Sequence, residues 1–285
     1  AMDDRVPEGS HPLQHSVNKT GRDIMRPLDP KLLSHSVKQL ECYYQNKLRN
    51  SPLRLLSFDE TLTGLPVDGN VAMNSKTSPG IPWIYKRKSP GKKDFLRFTE
   101  EGDIEFCAEE VKIEFNKIEK ELMRGKIPSA TMYEFPKDEL RPKDKALGPP
   151  IKTRSISVLN FVFNLIWRKY CLSLESALHQ QADGTNEYCI GINPESLAWT
   201  RIYHSLRVVS KDGVDLDVGN WDGHYTIQLM SAAVDLTSRL YEHQNIGGRC
   251  VRRALVDHNV FGCTQFLDIV LRKNRGLPSG CAGTG

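Results

Sequence analysis

The segment from Leu159 to Leu178 is apolar almost all the way round a helix. A helix of that kind cannot turn any face to water, so the rest of the chain must wrap it. It does not read as a membrane span. The chain's best candidate for an apolar run, Ile156 to Trp167, is interrupted by Asn160 and Asn164 and falls short of the roughly 18 residues a bilayer requires. With 285 residues, 39% of them hydrophobic and 26% charged, the chain has enough material to bury such a helix in a folded domain.

Other elements follow from periodicity and end signals. Glu105 to Arg124 carries Val111, Phe115, Ile118 and Leu122 at helical spacing, with Gly125 as its cap and Pro128 as a stop. Leu32 to Leu48 has a helical pattern. Asn193-Pro194 should open a helix through Trp199 and Leu206. Tyr225 to Gln244 should form another, with Ile227, Met230, Val234 and Leu240 on one stripe and Gly247-Gly248 at its end. Val208-Val209, Val214 to Val218 and Phe266 to Leu271 read as strands. Residues 1–30 read as an extended arm, and 57–98, rich in Gly, Pro and Lys, as loops. Helices dominate early and strands come late, which predicts an α+β fold rather than a regular βαβ array.

Three stretches carry chemistry. In Asp215-Leu216-Asp217-Val218-Gly219-Asn220-Trp221-Asp222, a strand would place Asp215 and Asp217 on one face, with Asp222 across a turn near the next helix. Carboxylates of this kind can hold divalent ions against phosphate oxygens, as phosphoryl transfer requires. The alternative is that they are ordinary turn and cap residues. The closing run from Gly276 to Gly285 has four glycines, with Ser279 and Thr284 as hydroxyl donors. It suits close backbone approach to a ligand, or a tight loop entering a helix. It lacks the lysine of a phosphate-binding P-loop. Between Lys137 and Arg154 lie six basic residues: Lys137, Arg141, Lys143, Lys145, Lys152 and Arg154. A second basic cluster, Lys86-Arg87-Lys88 with Lys92, Lys93 and Arg97, is interleaved with Trp83, Tyr85 and Phe95. That mixture could grip a nucleic-acid backbone and stack on bases, or be a solvated loop. The net charge of +4 permits a polyanionic partner without demanding one. Seven cysteines with no Cys-x-x-Cys argue against a disulfide framework or a zinc ribbon.

The order of these stretches resembles the RNA-dependent RNA polymerases of picorna-like positive-strand RNA viruses, of the picornavirus, dicistrovirus and calicivirus type. Thr77-Ser78-Pro79-Gly80-Ile81-Pro82 looks like motif G. Lys137-Asp138-Glu139-Leu140-Arg141 followed by Lys152-Thr153-Arg154 looks like motif F. Asp217-x4-Asp222 matches motif A, and Ser279-Gly280-Cys281-x-Gly283-Thr284 matches motif B. The resemblance covers roughly residues 60–285, with no family match before residue 50. The Gly-Asp-Asp of motif C does not occur in the chain.

The resemblance implies a right-hand polymerase: fingers plus the first part of the palm, without motif C and the thumb. The implied division is an arm and fingers over 1–174, the first part of the palm over 175–258, a fingers return over 259–272, and the start of motif B over 273–285. It implies template-directed synthesis of RNA from NTPs with Mg²⁺, or Mn²⁺ in its place. Asp217 would be the metal ligand, and Asp217 with Asp222 the catalytic pair. Lys137, Arg141, Lys145, Lys152, Arg154, Ser279 and Thr284 would bind the NTP. Thr77, Ser78, Pro79, Gly80 and Gly280 would meet the template. Implied partners are RNA template and primer or product, NTPs and other viral replication proteins, at membrane-associated complexes in the host cytoplasm. Without motif C the 285 residues alone are expected to be inactive. A reverse transcriptase is disfavoured by Asp222, where those enzymes place a bulky aromatic, and by Ser279, where they favour glutamine. A non-catalytic RNA-binding protein of the same fold is the rival from another class.

Overall fold

A computed structural model of the chain describes residues 26–66, 72–128, 130–137, 139–148, 151, 154–184, 189–190, 192–217, 223, 225–273 and 276–277. Its elements, in chain order, begin with helices α1 (Pro30–Lys47), α2 (Phe58–Thr63) and α3 (Trp83–Lys86). Strands β1 (Leu96–Phe98) and β2 (Ile104–Cys107) lead into α4 (Glu109–Met123). Then come β3 (Thr131–Pro136), α5 (Lys143–Leu147), β4 (Ser155–Val158), α6 (Phe161–Gln180) and α7 (Ala198–Val209). The chain closes with α8 (Ile227–His243), α9 (Arg249–Phe261), β5 (Cys263–Phe266) and β6 (Ile269–Arg272).

The apolar helix α6 is the spine. Asn160 caps it, its Oδ1 accepting the Val162 amide at 3.0 Å. Phe161, Leu165 and Ile166 are fully buried, and α2, α4 and α9 pack around the helix. Truncating such a side chain to alanine costs about 2–5 kcal/mol. The first core joins Trp83, Phe95, Phe115 and Phe161 to α6 as far as Cys171. From Leu174 onward α6 belongs to a second core, with Leu48, Leu53, Leu240 and Tyr241. Helix α1 packs along α8 on that side.

Strands β1 and β2 form an antiparallel pair. The other four make one sheet in the order β4-β3-β5-β6, with β3 antiparallel to β4, parallel to β5, and β5 antiparallel to β6. Residues 131–158 and 263–272, far apart in sequence, are thereby held together. A buried carboxylate ties three of the strands: Glu134 on β3 accepts hydrogen bonds from Ser157 Oγ on β4 and from Thr264 Oγ1 on β5 at 2.8 Å.

The α+β class agrees with the sequence reading, but several elements differ. Val208-Val209, expected as strand, finish helix α7. Residues 213–217 are in no strand, and Val214 and Leu216 are exposed. A strand needs a bonded neighbour, and the described residues offer this segment none; Val218 lies outside them. Helix α7 begins at Ala198 because Asn193 caps only a turn, its Oδ1 accepting the Glu195 amide at 2.9 Å. Helix α4 begins at Glu109 because Ile104–Cys107 pair with Leu96–Phe98. Phe266 to Leu271 is a hairpin turning at Leu267 (φ 53°), not one strand. The expected loop region 57–98 contains α2, α3 and β1, and α9, β3 and β4 had no signal in the sequence.

Candidate functional site

Strands β3 and β4 end together. Their last register pair is Pro136 with Ser155. One step further the Lys137 amide donates to the Arg154 carbonyl at 2.8 Å, so the ladder delivers Lys137 and Arg154 side by side. Between them stands Glu139. Its carboxylate takes Arg154 Nε at 2.8 Å, Arg141 Nη2 at 2.7 Å and Lys137 Nζ at 3.4 Å. The hydrogen bond from Arg154, then those from Arg141 and Lys137, hold the Glu139 carboxyl at about 2, well below the usual range, against some desolvation. One acid thus orders three cations and neutralises only one of them. The surplus positive charge, carried partly by planar guanidinium groups, suits a polyphosphate. Lys145 is exposed on α5, in the loop that joins the two strands. Lys152 lies outside the described residues.

The Thr77–Pro82 segment is anchored on α6. The Pro79 carbonyl accepts the Phe161 amide at 3.0 Å. Gly80 adopts φ +73°, and a Cβ there would lie 2.0 Å from the Leu159 carbonyl oxygen, so only glycine fits. Just beyond it, Trp83 Nε1 donates to Asn160 Oδ1 at 2.9 Å. Thr77 is exposed and Ser78 half-buried. The Thr77 hydroxyl donates inward to the Asn74 carbonyl at 3.0 Å. Ser78 Oγ accepts the Gly80 amide at 3.4 Å, which leaves its own hydrogen to donate.

The second basic cluster does not form one surface. Trp83 and Phe95 are core residues, packed edge to face at 4.9 Å, and Lys92 is buried. Lys86 pairs with Glu110 at 3.1 Å and lies over the Trp83 ring. Arg97 covers the Phe106 ring at 4.6 Å. Tyr85, Arg87, Lys88 and Lys93 face outward.

Asp217 and Asp215 are exposed at the end of the 213–217 segment. Asp222, Ser279, Gly280 and Thr284 lie outside the described residues. Their neighbours show how the two ends approach: the Gly276 amide donates to the Tyr225 carbonyl at 3.1 Å. Leu277 packs against the first core and against the Met230–Val234 cluster of α8. The closing segment therefore starts beside the entry to α8, two residues past Gly223, which is buried. Asp217 offers hard oxygen donors of the kind Mg²⁺ prefers. Among the described residues no three His, Cys, Asp or Glu side chains gather as a metal-binding group. The donor chemistry fits one ligand rather than a complete set.

Leu197, Trp199, Tyr203 and Leu206 on and before α7, and Val214 and Leu216 in the segment that ends at Asp217, are each more than half exposed.

Comparison with known proteins matches residues 26–285 to the viral RNA-dependent RNA polymerase family. The chain is 29% identical over 302 residues to the RNA1 polyprotein of Tomato ringspot virus, covering 99% of the chain and 13% of that protein. It is 30% identical to the RNA1 polyprotein of Grapevine fanleaf virus, covering 98% and 12%. It is 28% identical to the replicase polyprotein of Drosophila C virus, covering 95% and 16%. The chain thus spans a small part of these relatives. Among solved structures it superimposes on a sicinivirus 3Dpol RNA-dependent RNA polymerase with a TM-score of 0.71 and 22% identity, over 97% of this chain and 54% of that one.

Proposed function

The chain belongs to the viral RNA-dependent RNA polymerase family, and on that premise we propose that it supplies the triphosphate-binding and template-guiding half of a nucleotidyl-transfer site. The reaction is attack of an RNA 3′-hydroxyl on the α-phosphate of an NTP, with pyrophosphate leaving. The observation that carries this reading is the Glu139 cluster, which presents Lys137, Arg141 and Arg154 together on a pinned hairpin. These cations hold the triphosphate and stabilise the charge that develops on the departing pyrophosphate. Lys145 and Lys152 add charge from the connecting loop, while Ser279 and Thr284 bind the nucleotide from the closing segment. Ser78 donates its hydroxyl to a template phosphate, and Thr77, Pro79, Gly80 and Gly280 meet the template as well.

Asp217 is the metal ligand in this reading, and Asp222 completes the catalytic pair. Bound Mg²⁺, or Mn²⁺, would supply charge stabilisation for the attacking and leaving oxygens. A further reading is that these 285 residues, in which no Gly-Asp-Asp occurs, do not catalyse by themselves. By themselves they act as an RNA-binding unit of polymerase fold. The passage of α6 from the first core to the second between Cys171 and Leu174 supports a fingers-to-palm division near 174. Partners would be RNA, NTPs and other replication proteins at membrane-associated complexes in the host cytoplasm. No described helix is long and apolar enough to cross a membrane itself.

The test is primer extension by the full polymerase carrying this chain, with Arg154→Ala and Lys137→Ala. Each lost charged contact is worth about 1.5–3 kcal/mol, so the KM for NTP should rise roughly 10- to 100-fold. Binding of primed RNA should change far less. An unchanged KM for NTP in both variants would overturn the reading.

A further inference from the structure

We propose that Lys92 is a positioning residue for the template strand: its buried ammonium group sets the shape of the 74–80 loop that meets the RNA. The inference rests on the template role proposed above for Thr77–Gly80.

Lys92 is only 3% exposed. Its Nζ donates to the Asn74 carbonyl at 3.0 Å, to the Thr77 carbonyl at 3.1 Å and to Thr77 Oγ1. An ammonium has three N–H donors, and here each has an oxygen. The Lys92 backbone reaches the same loop, its amide donating to the Ser75 carbonyl at 2.7 Å. Gly91 makes that approach possible: at φ +76°, a Cβ would lie 2.4 Å from the Ser75 carbonyl oxygen. On its other side Lys92 is bolted to the core, because its carbonyl accepts the Phe95 and Leu96 amides, both at 2.8 Å. The loop is therefore clamped at two points. Lys92 holds residues 74–77, and the start of α6 holds Pro79 and Gly80. Ser78 lies between the clamps.

The chemistry argues that this is more than packing. Burial of a charge beside three neutral oxygens is costly, and desolvation pushes the Lys92 ammonium down to about 8. A methionine would fill the same volume without that cost. What a methionine cannot do is bind three oxygens of one loop at once. Retaining the ammonium fixes which way the Thr77 hydroxyl and carbonyl point, and so leaves the Ser78 hydroxyl as the group turned to the RNA. Nothing in the amino-acid pattern separates Lys92 from the exposed Lys93 beside it.

The experiment compares Lys92→Met with the parent full-length polymerase, reading the KM for template RNA, the KM for NTP and the melting temperature. The expected result is a roughly tenfold rise in the KM for template, with the KM for NTP within about twofold. A template KM within twofold of the parent, or both KM values rising together, overturns the inference. If Lys92→Met does not fold, Thr77→Val decides. It removes the hydroxyl that Lys92 grips, together with that hydroxyl's bond to the Asn74 carbonyl, and should raise the template KM about threefold and speed deuterium exchange at residues 75–80. Unchanged exchange and template KM would overturn it. Crosslinking of 4-thiouridine-labelled template to the parent enzyme separates the two readings. No crosslink within 77–80 means that the template assignment itself fails. A crosslink there, with an unaffected Lys92→Met, means that only the role of Lys92 fails.

Discussion

Residues 83–97 and 137–154 look alike as strings: both mix lysine and arginine with prolines and a few aromatic or acidic residues. The fold treats them oppositely. In 137–154, Lys137, Arg141 and Arg154 gather around Glu139 at the end of a two-strand ladder. In 83–97 Trp83 and Phe95 turn into the core with Lys92, while Lys86 and Arg97 go to separate partners. A cluster of charge in a sequence thus becomes a charged surface only where the backbone keeps it outside. The difference lies in the neighbours: Trp83 and Phe95 find Phe161, whereas Lys137, Arg141 and Arg154 find the carboxylate of Glu139.

Trp83→Ala should break this contrast most severely. It removes a buried ring and the hydrogen bond to Asn160, and should cost about 3–5 kcal/mol in chemical denaturation. Tyr85→Ala, two residues away and 69% exposed, should cost under about 0.5 kcal/mol. Equal losses would mean that the inward and outward assignments are wrong.

Next is the acid at the centre of the outer cluster. The folded Glu139 carboxyl, at about 2, lies below its ordinary value of 4.5. Its contribution is therefore fully present above pH 4.5 and is lost as pH falls toward 2. A side-chain carboxyl titration followed by NMR should place its midpoint well below those of exposed glutamates, and Arg154→Ala should move it back up. A midpoint near 4.5 in the parent would remove the cluster from the argument. Glu139→Gln should raise the KM for NTP by roughly threefold, the scale of an exposed ion pair, because the cations remain but lose their common anchor.

For Lys92 the sign runs the other way. Its folded value, about 8, lies below the ordinary 10.5. The cost of burying the ammonium is full below pH 8 and is relieved between about pH 8 and 10.5. Over that window the parent should gain stability relative to Lys92→Met in paired melting curves. A constant difference would show that Lys92 is not buried as a cation. The smallest effect is expected for Lys93→Ala, within about 0.5 kcal/mol of the parent in stability.

Legibility followed the same logic. Helices α4 and α8 were readable because their apolar residues recur at helical spacing and each has an end signal, and α6 because it is apolar almost all the way round. Helix α9 was not, because its buried face carries Arg252, His258 and Asn259. Arg252 is accommodated by the Tyr241 ring at 3.7 Å and the Tyr170 carbonyl at 2.9 Å, and His258 by the Phe163 ring at 4.3 Å. Those partners are distant in sequence, so no local period reveals them. Strands β3 and β4 were missed for a related reason: their buried polar residues, Glu134 and Ser157, satisfy each other and Thr264 across the sheet. At the candidate site, Lys137, Arg141 and Arg154 were readable by resemblance, but the role of Glu139 as their common partner was not.

By itself the sequence determined the apolar spine, the long amphipathic helices and the ordered strings that place the chain in its family, because each is local in pattern or composition. Only the tertiary structure decided which cations face outward, which lysine is clamped beneath the 74–80 loop, and that residues 213–217 join no strand among the described residues. Those outcomes depend on long-range neighbours, and burial or exposure of a charge is set by what the fold brings against it.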